Sequence, residues 1–330
     1  MSSVPLSSAT LTTMNLAQKY LYEFAGPILI LIGTISCTIN LVVFTQKDLR
    51  KNPCSIYFIA HNIVNLIFIY SSLLALTLGI GYNISALIYK LILCRVYLYV
   101  VILSNCLSPF YLILASIDRI LLTSSNARIR QRSNRRFACL CIIIGTSFWS
   151  LFHIHALISS NIRQMGPNTY LCYFQQGIHL IFATYYSLTK ESLILILLLI
   201  CGLWSIKNIR SLHRVRIDNT LSTTRTNVEG KYSKLNSSKD RQLTLMLLMD
   251  IIIYALFSLA FAIFLIYQQI TQNPLMSLDR IQIENVIRNF CLFSASIPFC
   301  TSCYANLIIS KTFRNETKKA FKSKIIFCLI

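Results

Sequence analysis

The sequence predicts an all-α fold, a bundle of seven transmembrane helices, on two observations. Seven long apolar segments run through the 330 residues, and 24 of the 31 Lys and Arg lie on one side of them. The segments are Phe24–Gln46, Ser55–Leu78, Leu91–Ile117, Phe137–Ser160, His179–Trp204, Gln242–Tyr267 and Val286–Ile309. Each has at least the ~20 residues needed to cross ~30 Å of hydrocarbon at ~1.5 Å per residue. A water-soluble domain has no use for seven such stretches. Residues 24–309 therefore read as one seven-helix membrane domain.

Charge sets the orientation. With the N-terminus outside, the inner pieces are 47–54, 118–136, 205–241 and 310–330, carrying 3, 6, 9 and 6 Lys/Arg. Basic residues stay on the cytoplasmic side of short loops, so an extracellular N-terminus and a cytoplasmic C-terminus are expected. The net charge of +20 then needs no nucleic-acid partner. Basic loops beside anionic lipid account for it.

The flanking pieces follow. Residues 1–23 are Ser/Thr-rich and lack the basic-then-apolar pattern of a cleavable signal peptide. They are expected as an extracellular tail, with the first span as signal anchor. The loop 205–241 is the one long connection, and its Ser-, Thr- and Asn-rich part, Asn219–Ser238, is expected to be disordered. In the cytoplasmic tail, 310–330, basic residues fall between Phe313, Ala320 and Phe321. Thr312–Phe327 fits a short amphipathic eighth helix on the membrane surface as well as it fits a disordered basic tail. Asn83-Ile84-Ser85, in the first outer loop, is a glycosylation sequon. Cys328 is a palmitoylation candidate beside a basic segment. It is third from the end, so it does not fit the four-residue prenylation box.

Of twelve cysteines, Cys37, Cys106, Cys139, Cys141, Cys201, Cys291, Cys300 and Cys303 lie inside spans. Such thiols act as small hydrophobes, and no Cys/His spacing suits zinc or another metal. Cys94, at the outer start of the third span, and Cys172, between spans four and five, both face an oxidising compartment where a disulfide persists. The alternative is two free thiols. At the inner end of the third span stands Ile117-Asp118-Arg119-Ile120. Alone, Asp118-Arg119 could be an interfacial anchor.

The combination of an outer Cys94, a long helix and an inner Asp118-Arg119 resembles a rhodopsin-type, class A, G-protein-coupled receptor, over nearly the whole chain. Asn40 resembles that family's first-helix Asn, Trp149 its fourth-helix Trp, and Phe313-Arg314 the start of its eighth helix. Three phrases resemble divergent invertebrate FMRFamide-type peptide receptors. They are Leu49-Arg50-Lys51-Asn52-Pro53-Cys54-Ser55, Ile206-Lys207-Asn208-Ile209-Arg210 and Lys239-Asp240-Arg241-Gln242-Leu243-Thr244. The resemblance implies a receptor for an extracellular ligand, a neuropeptide in particular, that signals to a heterotrimeric G protein from the plasma membrane. It also implies a latch between Arg119 and Asp240. The bland alternative pairs Asp240 with Lys239 or Arg241 in a solvated loop.

The chain departs from the family at several points. Asn65 stands where the second helix carries a sodium-binding Asp, although Ser108 matches its third-helix partner. A sodium site without its carboxylate is not expected, and no cofactor is implied. Ser258 and Ala260 replace the sixth-helix Trp and Pro, and the fifth helix lacks its usual Pro. In the seventh helix, Ser302-Cys303-Tyr304-Ala305-Asn306 replaces Asn-Pro-x-x-Tyr, with Tyr304 out of register. Val101 stands where amine receptors carry an Asp, and Ser296 where opsins carry a Lys. Neither an amine receptor nor a photopigment is expected.

Charge inside a span is costly and marks a site by default. Lys190-Glu191 lies within the fifth span, and at most one of two adjacent residues faces the pocket squarely. Glu191 is the expected counter-charge for a cationic ligand group. An ion pair without a ligand role is the alternative. Arg288 could meet Glu191 or a ligand carboxylate, or snorkel to the headgroups. Asp250 is expected to be protonated or hydrogen-bonded, to Asn306 or Tyr304. His153 and His155 face different sides of the fourth helix and read as structural.

No His-Glu-x-x-His, Gly-x-Ser-x-Gly or Gly-rich phosphate loop is present, so an enzyme is not expected. The competing readings are a receptor-like binder that no longer couples, and a transporter or channel. The latter is disfavoured because no internal repeat or interrupted helix is visible.

Overall fold

In the computed structural model the backbone is described for residues 8–47, 49–84, 90–122, 127–166, 169–174, 178–222, 229–271 and 278–329. Among these, seven helices are long and apolar enough to cross a membrane. α1 runs Ser8–Tyr20, through a π turn at Leu21–Ala25, into Gly26–Phe44. α2 starts as Pro53–Phe68 and reaches Gly81 through two further π turns, Ile69–Leu73 and Thr77–Gly81. α3 is Leu91–Leu122, and α4 is Arg135–Phe152 continued by Ile154–Ser159 beyond a break at His153. α5 is Ile178–Ser222, α6 Glu229–Ile270, α7 Leu278–Ile309 and α8 Lys311–Leu329. Between α4 and α5 lies an antiparallel hairpin, β1 Ser160–Gly166 and β2 Thr169–Phe174.

The fold is the all-α seven-helix bundle of a multi-pass membrane protein, but helix ends differ from the apolar segments. α1 begins inside the expected tail. α5 and α6 carry helical backbone through most of the expected loop 205–241, up to Ser222 and again from Glu229. The physical reason is simple. An apolar run measures the hydrocarbon a helix crosses, whereas its backbone bonds continue into water. The hairpin was equally invisible to apolar patterning.

Local chemistry sets several ends. Asn52 caps α2 from an extended backbone, φ −83° and ψ 128°, accepting from the Cys54 N–H at 3.0 Å, with Pro53 next. Asn134 caps α4 by accepting from the Phe137 N–H at 2.9 Å. Just past the end of α2, Asn83 has a φ of 56°, the left-handed conformation that Asn tolerates beyond a helix terminus. Asn83 is exposed there. Its sequon partner Ser85 lies outside the described residues.

The bundle is apolar outside, and its largely apolar interior also holds polar side chains. Leu140, Ile143, Ile144, Phe148 and Leu151 of α4 are exposed, as a lipid-facing surface requires. Asn40, Asn62, Asn65, Ser108 and Asn306 are buried. α1 and α7 approach closely, because any Cβ on Gly33 would overlap the Cys300 side chain. Phe68 of α2 stacks on Phe299 of α7 with centroids 3.9 Å apart. The tail forms α8 from Lys311. Its Phe313 is buried against Phe44, which in turn stacks on Phe58. Cys328 lies on α8, with its side chain outside the described residues.

Candidate functional site

The two ends of the bundle are chemically different. At one end Cys94 of α3 is joined to Cys172 of β2, with Cα atoms 5.6 Å apart. Cys172 pairs across the hairpin with Ile162, and the Arg95 guanidinium donates to the Ser160 carbonyl at 3.2 Å. Together these fasten the hairpin to the start of α3. The other end carries the basic sequence and a polar clasp.

In that clasp Arg119, 1% exposed, is gripped from three helices. Its Nη2 donates to Asp118 Oδ2 at 2.6 Å and to Asn52 Oδ1 at 2.8 Å. Its Nη1 donates to Asp240 Oδ1 at 3.2 Å. Asn52 Nδ2 donates to the same Asp240 oxygen at 2.7 Å. Asp118 also accepts from the Ser133 hydroxyl at 2.7 Å. A buried guanidinium needs this many acceptors, since an unpaired one costs several kcal/mol. Arg119 and Asp240 are thus within hydrogen-bonding reach, with Asn52 as a third member that the sequence did not announce.

The middle of the bundle holds two polar groupings. In the first, the Ser108 hydroxyl donates to Asn65 Oδ1 at 2.6 Å, Asn65 Nδ2 meets His61 Nε2 at 3.1 Å, and His61 Nδ1 meets the Ser108 carbonyl at 3.1 Å. A carbonyl only accepts, which assigns the proton to His61 Nδ1 and leaves Nε2 to accept from Asn65.

The second grouping ties α1, α2, α6 and α7. Ser302 Oγ donates to Asp250 Oδ2 at 3.1 Å and accepts from Asn40 Nδ2 at 3.3 Å and Asn306 Nδ2 at 3.5 Å. Asn40 also donates to Asn62 at 2.9 Å. Asp250 therefore meets Ser302 instead of Asn306 or Tyr304. The Tyr304 hydroxyl turns outward to the Ile32 carbonyl at 3.2 Å. Residues 302 and 306 share a face of α7, whereas residue 304 is rotated about 200° from residue 302 at ~100° per residue. Between the groupings is a cavity of about 10 Å³, lined by His61, Ser108, Asp250 and Tyr254 among others. That is room for about one water molecule.

The expected ligand-pocket charges are engaged with each other. Lys190 Nζ lies 2.7 Å from Glu191 Oε1 and 2.5 Å from Asn105 Oδ1 of α3. Glu191 is 3% exposed, so the carboxylate expected to face a ligand is already paired. Val101, one turn above Asn105 on α3, is half-buried. Among the described residues no ion pair joins Arg288 to Glu191, and the buried Arg288 Nε has no hydrogen-bond partner. His153 is structural, set between the Trp149 carbonyl and the Tyr186 hydroxyl at 2.7 Å each.

No protein-family model matches the chain, and no curated protein matches it either.

The site therefore stands on its geometry. Sequence reasoning missed Asn52, His61, Asn62 and Ser302, together with Pro109 and Pro298 inside α3 and α7. One signal was available. His61, Asn62 and Asn65 recur at helical spacing inside an apolar span, which marks an inward polar face.

Proposed function

We propose that this chain is a rhodopsin-type G-protein-coupled receptor. It binds an extracellular ligand, a peptide in our reading, at the disulfide end and couples to a heterotrimeric G protein at the basic end. The observation that carries the reading is the buried Arg119, held by Asp118 near the inner end of α3, by Asp240 of α6 and by Asn52 at the cap of α2. A guanidinium so enclosed reaches another protein only if α6 moves away. Such a clasp is what a two-state switch needs at its inner face. The hairpin fastened by Cys94–Cys172 supports the complementary role of the outer face. The excess of basic residues at the clasp end supports its placement in the cytoplasm of a plasma-membrane protein.

The test is nucleotide exchange. The full chain in lipid nanodiscs is incubated with a panel of heterotrimers and screened against a neuropeptide library for GTPγS loading. At least one peptide should accelerate loading, and Arg119→Ala should abolish the acceleration while peptide binding remains. Binding of a peptide with no loading of any heterotrimer would favour a binder that does not couple. The buried Ser258 on α6, where the family has its switch Trp, gives that second reading its footing.

A further inference from the structure

We infer that Asn52 is the positioning residue that makes the Arg119–Asp240 latch a three-helix clasp, so that α6 is held by the α2 terminus as well as by α3. The inference deepens the receptor reading and rests on it for its signalling consequence, but not for its structural one.

Asn52 is already used as the cap of α2, and a cap alone would explain an Asn there. The bland reading ends at Oδ1 accepting from the Cys54 N–H at 3.0 Å. Two further bonds exceed it. Oδ1 also accepts from Arg119 Nη2 at 2.8 Å, and Nδ2 donates to Asp240 Oδ1 at 2.7 Å. The three partners agree on one amide orientation. The Cys54 amide and the guanidinium only donate, and the carboxylate accepts. A flipped amide would face NH₂ towards two donors and oxygen towards a carboxylate.

This pattern restricts the residue type. Asp could cap α2 and accept from Arg119, but it would set one carboxylate against another. Ser could cap, but its single short hydroxyl does not span to both Arg119 and Asp240. Asn supplies acceptor and donor at one reach. Asp240, with 35% of its side chain exposed, is therefore held by a neutral donor from α2 as well as by a cation from α3. The neutral bond is the shorter of the two. Arg119 is fixed in turn by an amide that cannot lose its partner to salt. The clasp is accordingly less salt-sensitive than a bare surface pair.

The structural and clasp roles separate cleanly in Asn52→Ser, because Ser caps helices about as well as Asn. Amide hydrogen exchange of the full chain in nanodiscs is followed over 243–251 of α6 and 55–58 of α2, alongside basal GTPγS loading. Asn52→Ser, Asp240→Ala and the double variant complete a cycle. We expect exchange over 243–251 to rise about ten-fold, the factor that ~1.4 kcal/mol carries, with 55–58 unchanged. The double variant should add less than the product of the singles. Exchange that rises together with basal loading supports both the clasp and the receptor. Exchange that rises with flat loading supports the clasp and counts against coupling. Unchanged exchange over 243–251 in Asn52→Ser, or full additivity in the cycle, overturns the inference and leaves Asn52 a cap.

Discussion

Replacing Glu191 by Gln tests whether the charge pair in α5 is scaffold or pocket. Lys190 and Glu191 lie 2.7 Å apart with side chains 10% and 4% exposed, and Lys190 also reaches Asn105 of α3. Residue 190 is nine residues into the apolar span Ile181–Trp204, or ~14 Å along the helix, near the bilayer midplane. Removing one partner of a buried pair costs about 3–5 kcal/mol, because the other charge is left uncompensated. Glu191→Gln should therefore lower Tm by roughly 6–20 °C at about 2–4 °C per kcal/mol.

The Lys190→Met/Glu191→Gln pair should recover most of the lost Tm and surface expression. Differential scanning fluorimetry in detergent reads both variants against the parent. A Glu191→Gln protein that melts within about 2 °C of the parent would refute the scaffold argument and return the carboxylate to the ligand pocket.

Three further outcomes are expected. Asp240→Ala removes both the Arg119 and the Asn52 contact, and basal GTPγS loading should rise about five- to ten-fold, ~1–1.4 kcal/mol, at equal surface expression. Asp250→Asn should raise Tm by a few degrees, because the carboxylate takes one hydrogen bond, from Ser302, and no ion pair among the described residues. A loss of Tm would show that the carboxyl group is needed. Asn83 should carry a glycan in surface-expressed protein, while Asn236 and Asn315 stay bare. A glycan on either of the latter, found by glycopeptide mapping, would invert the orientation.

Much of the fold was legible because hydrocarbon thickness imposes a length that a sequence displays directly. Counting apolar segments also placed Cys94 with Cys172, and Arg119 with Asp240, at opposite ends. Helix ends were not legible, since a helix leaving the membrane loses its apolar signal without losing its hydrogen bonds. This is why Ser8, Ser222 and Glu229 came as findings. The interior was legible only in part, because each residue turns a helix by ~100°. Naming Asp250 as a buried acid needed no rotation. Choosing its partner did, and Tyr304 lies on the wrong face while Ser302 lies on the right one. Asn52 was hidden differently. Asn-Pro before an apolar run reads completely as a helix start, so nothing in the sequence prompted a search for a second role.

The ring of His61, Asn65 and Ser108 fixes the rotation of α2 against α3. His61 and Asn65 sit one turn apart on α2, and they reach Ser108 of α3 through its carbonyl and its hydroxyl. Turning either helix by one residue, ~100°, would strand several buried polar groups at once, each costing about 1–3 kcal/mol. Apolar side chains tolerate small slips between helices, and this ring does not.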